Sequence, residues 1–261
     1  MGVNMSGVFE VNNIYNCDCI EAMGKMVKNS VDFTLTDIPY NVVNRDSNGL
    51  RVLDKGKADI LTFDLDIFLN EVYRITKHNI IIFCSKEQFS HIFGYFSNKK
   101  GTVRAIVWEK TNPSPMNGKY VYLSGVEFAV WFKKSGSKRF NAFCKNTVFR
   151  YPNGRSKLHP TEKNHQLLKE LILDNTLKDD IVFDPCCGSG AHLLVAKRLK
   201  RRFLGFEIDE KYYNLAVKRL NLAICGQEKA NNFSLNSYFS LSIPNYQNGK
   251  NNVQANNLFS L

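Results

Sequence analysis

Two short stretches carry residue types whose chemistry goes beyond structure. In the first, Thr36-Asp37-Ile38-Pro39-Tyr40-Asn41, an Asp carboxylate and a neighbouring backbone carbonyl can both accept hydrogen bonds from one amino group. Proline stiffens the turn, and the Tyr40 ring offers a face for stacking a flat heterocycle. A buried strand end with one capping Asp is the plainer alternative, and this stretch alone does not choose between them. In the second, Phe183-Asp184-Pro185-Cys186-Cys187-Gly188-Ser189-Gly190, small residues let a ligand approach the backbone. Free N–H groups where the next helix opens can hold an anionic group such as a carboxylate. An acidic residue closing the following strand can bind ribose hydroxyls. Glu207 stands there, 23 residues after Asp184, close to the roughly 20 of a nucleoside-binding βαβ unit. The pattern is Gly-x-Gly with Leu193 where a third glycine would fall. That weakens a dinucleotide reading and leaves room for a single nucleoside with a short charged tail, or for a tight turn with no ligand.

The elements that must position these stretches alternate short apolar strands with amphipathic helices, the pattern of an α/β sheet covered by helices. Val31–Leu35 alternates like a strand and runs into Asp37. Leu65–Lys77 reads as a helix with Ile67, Phe68, Val72 and Ile75 on one face. Asn79–Cys84 is a continuous apolar run, as in a strand buried on both faces. Val103–Trp108 and Val126–Phe132 read as strands, and Thr111–Lys119 between them as a loop by its Pro and Gly breakers. Then come a helix over Lys163–Asp174, a strand over Ile181–Phe183, a helix over Ala191–Lys200, a strand over Phe203–Ile208 and a helix over Glu210–Ala223. The helix ending in Lys200, Arg201 and Arg202 has the charge its dipole prefers. Domain organisation follows: one α/β domain over residues 1–225, with 111–157 as a loop or insertion, and a polar, poorly ordered tail over 226–261.

Of 261 residues, 44% are hydrophobic and 23% charged, ordinary for a soluble globular chain. No stretch reaches the roughly 18 apolar residues of a membrane helix, and Met1–Glu10 lacks the features of a secretory signal. A bacterial-type cytoplasmic location, without membrane partners, is the expectation. Seven cysteines, odd in number and scattered, read as reduced thiols rather than as a disulfide framework. They lack zinc-ribbon spacing, so no metal site is expected. The net charge of +11 points to a polyanionic partner. Lys133, Lys134, Lys138, Arg139, Lys145, Arg150, Arg155 and Lys157 follow one another without an intervening Asp or Glu, interleaved with Phe140, Phe143, Phe149 and Tyr151. A solvated basic loop is one reading. A nucleic-acid surface is favoured, because so long a one-sign stretch repels itself without an anion.

Together these residues resemble the amino-group DNA methyltransferases that carry an Asp/Asn/Ser-Pro-Pro-Tyr motif. Asp37-Ile38-Pro39-Tyr40 precedes the Cys186–Gly190 turn by more than a hundred residues, an order that resembles the circularly permuted β group. Tyr15–Glu21 resembles the segment that holds the cofactor adenine, Val107–Pro113 the strand and loop near the target base, Val126–Phe132 the following strand, and His159–Lys163 the segment before the final cofactor half. The resemblance covers about residues 13–223. The sequence departs from the family pattern at Ile38, usually Pro, at Cys186, often Phe, and at Asn164, commonly Pro.

The resemblance implies a Rossmann-like S-adenosylmethionine-dependent methyltransferase sheet, with 111–157 as target-recognition insertion. It implies that Asp37, the Ile38 carbonyl, Pro39 and Tyr40 act on a flipped base in double-stranded DNA. Asp18, Cys19, Asp37, Thr161, Lys163, Asp184, Cys186, Gly188, Gly190 and Glu207 would line the S-adenosylmethionine site. Asp at the start of the catalytic motif favours adenine N6 over cytosine N4. A cognate restriction endonuclease and a homodimer are further partners it allows. Three rivals are weighed against it. Cysteine-nucleophile cytosine-C5 methylation would use Pro185-Cys186, but that dipeptide lies inside the cofactor turn. Protein-glutamine and ribosomal-RNA methyltransferases place their related motif after the cofactor turn. A catalytically inactive DNA-binding module would have no need of Asp37, Tyr40 and Glu207.

Overall fold

A computed structural model describes residues 9–40, 61–115, 118–153 and 162–225, all within one unit, Met1–Gln227. Asn41, Arg155, Lys157, Thr161 and the 226–261 tail lie outside the described residues. Eight strands form a single sheet in the order β1-β8-β7-β2-β3-β5-β4-β6. They are β1 (Asn13–Asn16), β2 (Val31–Asp37), β3 (Thr76–Cys84), β4 (Gly101–Lys110), β5 (Val126–Lys134), β6 (Val148–Tyr151), β7 (Ile181–Asp184) and β8 (Arg202–Glu207). Only β5 runs against its neighbours, β3 and β4.

Burial on both sides explains the near-continuous apolar strands, and alternation sorts their side chains. Phe33, Leu35, Ile81, Phe83 and Val182 face α4 (His165–Asn175), α5 (Ala191–Arg198) and α6 (Glu210–Cys225). Val31, Ile80, Ile82, Ile181 and Phe183 face α1 (Cys19–Gly24), α2 (Leu65–Ile75) and α3 (Lys86–Ser97). The chain leaves β2 towards one edge and returns through β7 beside it, in parallel register Phe33↔Val182 and Thr34↔Phe183. Strand order therefore reverses between β2 and β7, and the crevice beyond their carboxyl ends is where open α/β sheets bind ligands.

Several boundaries differ from the sequence expectations. Helix α2 stops at Ile75 because Thr76 already pairs with Val31 and its buried hydroxyl lies 2.6 Å from that of Thr34. Helix α4 starts at His165, not Lys163, because the Asn164 side chain accepts from the Gln166 and Leu167 amides at 2.8 and 3.3 Å. The family's proline at this position would lack that cap. Residues 111–157 are not one insertion: β5 pairs with β3 and β4 along its length, and β6 closes the sheet edge on β4. The expectations omit β1, α1, α3 and β6, which are short or, in α3, rich in aromatics that favour helix weakly.

Candidate active site

The Asp37 turn is held from behind. Ile38 is buried and its N–H donates to the Phe83 carbonyl at 3.2 Å. The Gln88 side chain, reciprocally bonded with Ser85 in the α3 capping box, donates to the Pro39 carbonyl at 2.8 Å. Rigidity that a second proline would give is thus supplied by burial of Ile38 and a helix-borne clamp.

Lys163 is buried against this turn. Its Nζ lies 2.5 Å from Asp37 Oδ2, 3.0 Å from the Tyr40 hydroxyl and 3.0 Å from Glu127 Oε2. It also stands 5.2 and 5.1 Å from the centres of the Tyr40 and Phe83 rings. The other Glu127 oxygen is 2.6 Å from Lys110 Nζ. Burial by itself would lower the Lys163 pKa, but the Asp37 and Glu127 charges outweigh it and hold the ammonium protonated. Burial would likewise raise Glu127, yet Lys163 and Lys110 bring it down to about 2. Burial and the two carboxylates push the Tyr40 hydroxyl well up. Asp37 Oδ1, shielded from solvent, has no hydrogen-bond partner among the described residues. A buried acceptor without a donor is destabilising, so this oxygen suits a donor brought by a ligand. Lys163, expected over the methionyl end of the cofactor, places its ammonium on Asp37.

The glycine-rich turn lies at the neighbouring strand end. Asp184 is completely buried. Its Oδ1 accepts from Thr36 Oγ1 at 2.8 Å and from the Cys186 amide at 3.2 Å, and its Oδ2 lies 2.6 Å from His192 Nδ1. Asp184 therefore braces the turn and ties it to β2 rather than facing the crevice. Gly188 and Gly190 have φ of +51° and +77°, and a Cβ on Gly190 would meet the Ala216 methyl at 3.1 Å. Gly190 opens α5 without a side-chain cap. Glu207 accepts from the Gly188 amide at 2.7 Å and the Asp209 amide at 2.9 Å. Burial raises its pKa against the pull of those two amides. Because β1 pairs with β8, Asn16 sits opposite Glu207, which brings Asp18 and Cys19 to the same rim. Asp18 caps α1, accepting from the Ile20 and Glu21 amides at 2.8 and 3.1 Å. Cys19 and Cys186 belong to the same apolar cluster. Among the described residues no His, Cys, Asp or Glu grouping could hold a metal ion.

A further bridge was not foreseen. Arg219 of α6 spans Glu162, at 2.7 and 3.1 Å, and the Ser189 hydroxyl, at 3.3 Å. It fastens the residues just before Lys163 to the glycine-rich turn. Burial would raise the Glu162 pKa, but His165 and Arg219 pull it far below the usual carboxylate range.

Residues 31–218 match the DNA methylase family model of N6/N4 methyltransferases. The chain belongs to that family. It is a DNA amino-methyltransferase. It is 27% identical over 237 residues to the type II methyltransferase M2.DpnII of Streptococcus pneumoniae, covering 79% of this chain and 88% of that protein. It is 30% identical over 203 residues to the methylase YubD of Escherichia coli, covering 78% and 87%. The crystal structure of the M1.HpyAVI–SAM complex is similar with a TM-score of 0.63 at 30% identity, over 79% of this chain and 98% of that one. The cytosine-N4-specific PvuII methyltransferase, at a TM-score of 0.64 and 18% identity over 87% and 89%, shares the fold.

In this methylase the basic stretch is less free than its sequence implied. Anions absent from the stretch come from elsewhere in the fold. Arg139 pairs with Asp180 at 3.0 Å, Lys145 with Asp174 at 2.6 Å, and Arg150 with Glu109 at 2.9 Å. Lys134 donates to the Tyr73 and Thr76 carbonyls, and burial, with nearby Lys28, lowers its pKa to about 8. Arg139, Lys145 and Arg150 therefore have counter-charges within the fold and need no external anion. Lys138 is exposed and Lys133 half-buried. Of the interleaved aromatics Phe143 is exposed, while Phe149 is buried. A different apolar surface emerges in the β4–β5 connection, where Tyr120, Val121, Tyr122 and Leu123 are all exposed.

Proposed function

We propose that this methylase transfers the methyl group of S-adenosylmethionine to adenine N6, at a specific sequence in double-stranded DNA, on a base turned out of the helix. The observation that carries the reading is Asp37 Oδ1, buried without a hydrogen-bond partner among the described residues, at the carboxyl end of β2 beside the glycine-rich turn of β7. An exocyclic amine is a poor nucleophile because its lone pair is shared with the ring. Acceptors at Asp37 Oδ1 and the Ile38 carbonyl would take its two N–H groups, favour a pyramidal nitrogen and stabilise the positive charge developing there. Tyr40 would stack on the extruded base and offset part of the few kcal/mol that extrusion costs.

S-adenosylmethionine supplies a methyl group already activated by its sulfonium, so the residues need only bind, orient and exclude water. The residues present fit it. The uncapped α5 start with Gly188 and Gly190 suits its carboxylate, Glu207 the ribose, and the Asp18–Cys19 rim and Cys186 the adenine. Lys163, Asp37, Glu127 and Lys110 sum to zero charge, so the pocket does not repel a cation. Asp184 contributes by holding the turn. DNA would meet the exposed part of the basic stretch, and the type II relatives support a cognate restriction endonuclease as functional partner.

Asp at the head of the turn supports adenine, whereas the shared fold with a cytosine-N4 enzyme keeps N4 as the second reading. Mass spectrometry of nucleosides from DNA treated with isotopically labelled donor distinguishes them. N6-methyladenine is the expected product. Labelled N4-methylcytosine alone would overturn the base assignment, and no labelled nucleoside would overturn the reading as a whole.

A further inference from the structure

Resting on that reading of Asp37, we propose that Glu127 is a positioning residue for methyl transfer: anchored by Lys110, it holds the Lys163 ammonium so that Asp37 keeps one oxygen for the target amine. An ammonium has three N–H donors. Here Asp37 Oδ2 and Tyr40 OH accept at 2.5 and 3.0 Å, and Glu127 Oε2 stands 3.0 Å away as an ion-pair partner. Two donors of Lys163 are therefore committed, and the Glu127 charge draws the third side of the ammonium away from Asp37 Oδ1, which has no hydrogen-bond partner among the described residues. Without Glu127, the ammonium has the other oxygen of the Asp37 carboxylate beside it and, among the described residues, no competing anion. It would turn to Asp37 Oδ1 and occupy the oxygen that the amine requires.

Lys110 is the second half of the device. Its ammonium, 2.6 Å from Glu127 Oε1 and 5.3 Å from the Trp108 ring centre, stops Glu127 from closing both oxygens on Lys163. The charges alternate Lys110, Glu127, Lys163, Asp37 across β4, β5, the segment before α4, and β2. Among the described residues the titratable groups around Lys163 are Asp37, Tyr40, Glu127 and Cys84 at the end of β3, whose thiol burial and Asp37 push up to about 12.

The test uses the full chain with Glu127→Gln and Glu127→Ala. Wild-type methylation of duplex DNA is measured first, so that its absence would count against the proposed function and not against Glu127. Both variants should lose kcat by about tenfold or more, the scale of removing a group that orients a functional side chain. KM for S-adenosylmethionine and for DNA should stay within about twofold, since neither ligand is touched. Glu127→Gln should also move the alkaline limb of the kcat profile to lower pH, because Lys163 then relies on Asp37 alone to stay protonated. A folded Glu127→Gln protein with wild-type kcat and an unmoved alkaline limb would overturn the proposal. So would a loss expressed wholly in KM. Glu127→Gln keeps the shape of the side chain, so the proposal stands or falls even if Glu127→Ala does not fold.

Discussion

Asp37 serves two partners with one carboxylate. Its Oδ2 is ion-paired to a buried lysine while Oδ1 has no hydrogen-bond partner among the described residues, an asymmetry that suits an acceptor needing charge and a free lone pair together. Asp37→Asn keeps the shape, removes the charge and offers an N–H₂ where an acceptor is wanted. We expect kcat to fall by on the order of 10²–10³, as when one preorganised hydrogen-bonding group is lost. Donor binding by calorimetry should change by only a few-fold. A matching collapse of donor binding would reassign Asp37 from the reacting amine to the cofactor. Asp37, Tyr40, Gly188, Gly190 and Glu207 are legible in the sequence because each sits in a short window of diagnostic types after a strand. Glu127, Lys110, Thr36, His192 and Arg219 are not. Most of their roles exist through partners distant along the chain, as for Thr36 and Asp184 at 148 residues or Arg219 and Glu162 at 57. Lys163 lay within a recognised segment, yet only the fold shows which carboxylates it faces.

Elements decide which surface is left for DNA. Most strands are readable from apolar runs, and β5 is too, but its place between β3 and β4 is a matter of topology that composition does not carry. The same folding brings Asp174 of α4 and Asp180 to Lys145 and Arg139. Charge reversal at Arg139 or Lys145 should therefore lower the thermal midpoint, because it sets like charges together. It should leave the salt dependence of DNA affinity largely unmoved. Reversal at exposed Lys138, by contrast, should flatten that dependence by about one per lost phosphate contact. The exposed β4–β5 connection is a second candidate surface for DNA. Its base is tied by the Lys110 amide to the Gly125 carbonyl at 2.7 Å, two residues from Glu127, and Tyr120 and Tyr122 are among its most exposed side chains. If these rings stack on bases, at about 1–3 kcal/mol each, Tyr122→Ala should raise the KM for DNA roughly tenfold with donor binding intact. An unchanged KM would leave the basic segment as the only candidate surface.

At the scale of the whole molecule, two halves meet along β2 and β7, and residues 162–164 join the site to both. Glu162 grips Arg219 of α6, Lys163 grips Asp37 and Glu127, and Asn164 caps α4. This clasp is built from carboxylates whose pKa values are held below the ordinary 4.5, Glu127 at about 2 and Glu162 lower still. A carboxylate depressed in the folded state contributes stability that is complete above its unfolded pKa. That contribution is lost as pH falls through the folded value. Both carboxylates therefore favour the folded state at neutral pH. Glu207 and Asp174 are shifted upward, mainly by burial, and act in the opposite sense, favouring the fold slightly as they protonate. The downward shifts are the larger, so the urea midpoint should be steady above about pH 5 and drop steeply between about pH 4.5 and 2. Glu162→Gln should lower the midpoint at pH 7, because it leaves Arg219 buried without its counter-charge. It should also make the fall at acid pH shallower. A variant that unfolds with the wild-type acid slope would show that the clasp does not carry the acid sensitivity, and that other carboxylates hold the two halves together.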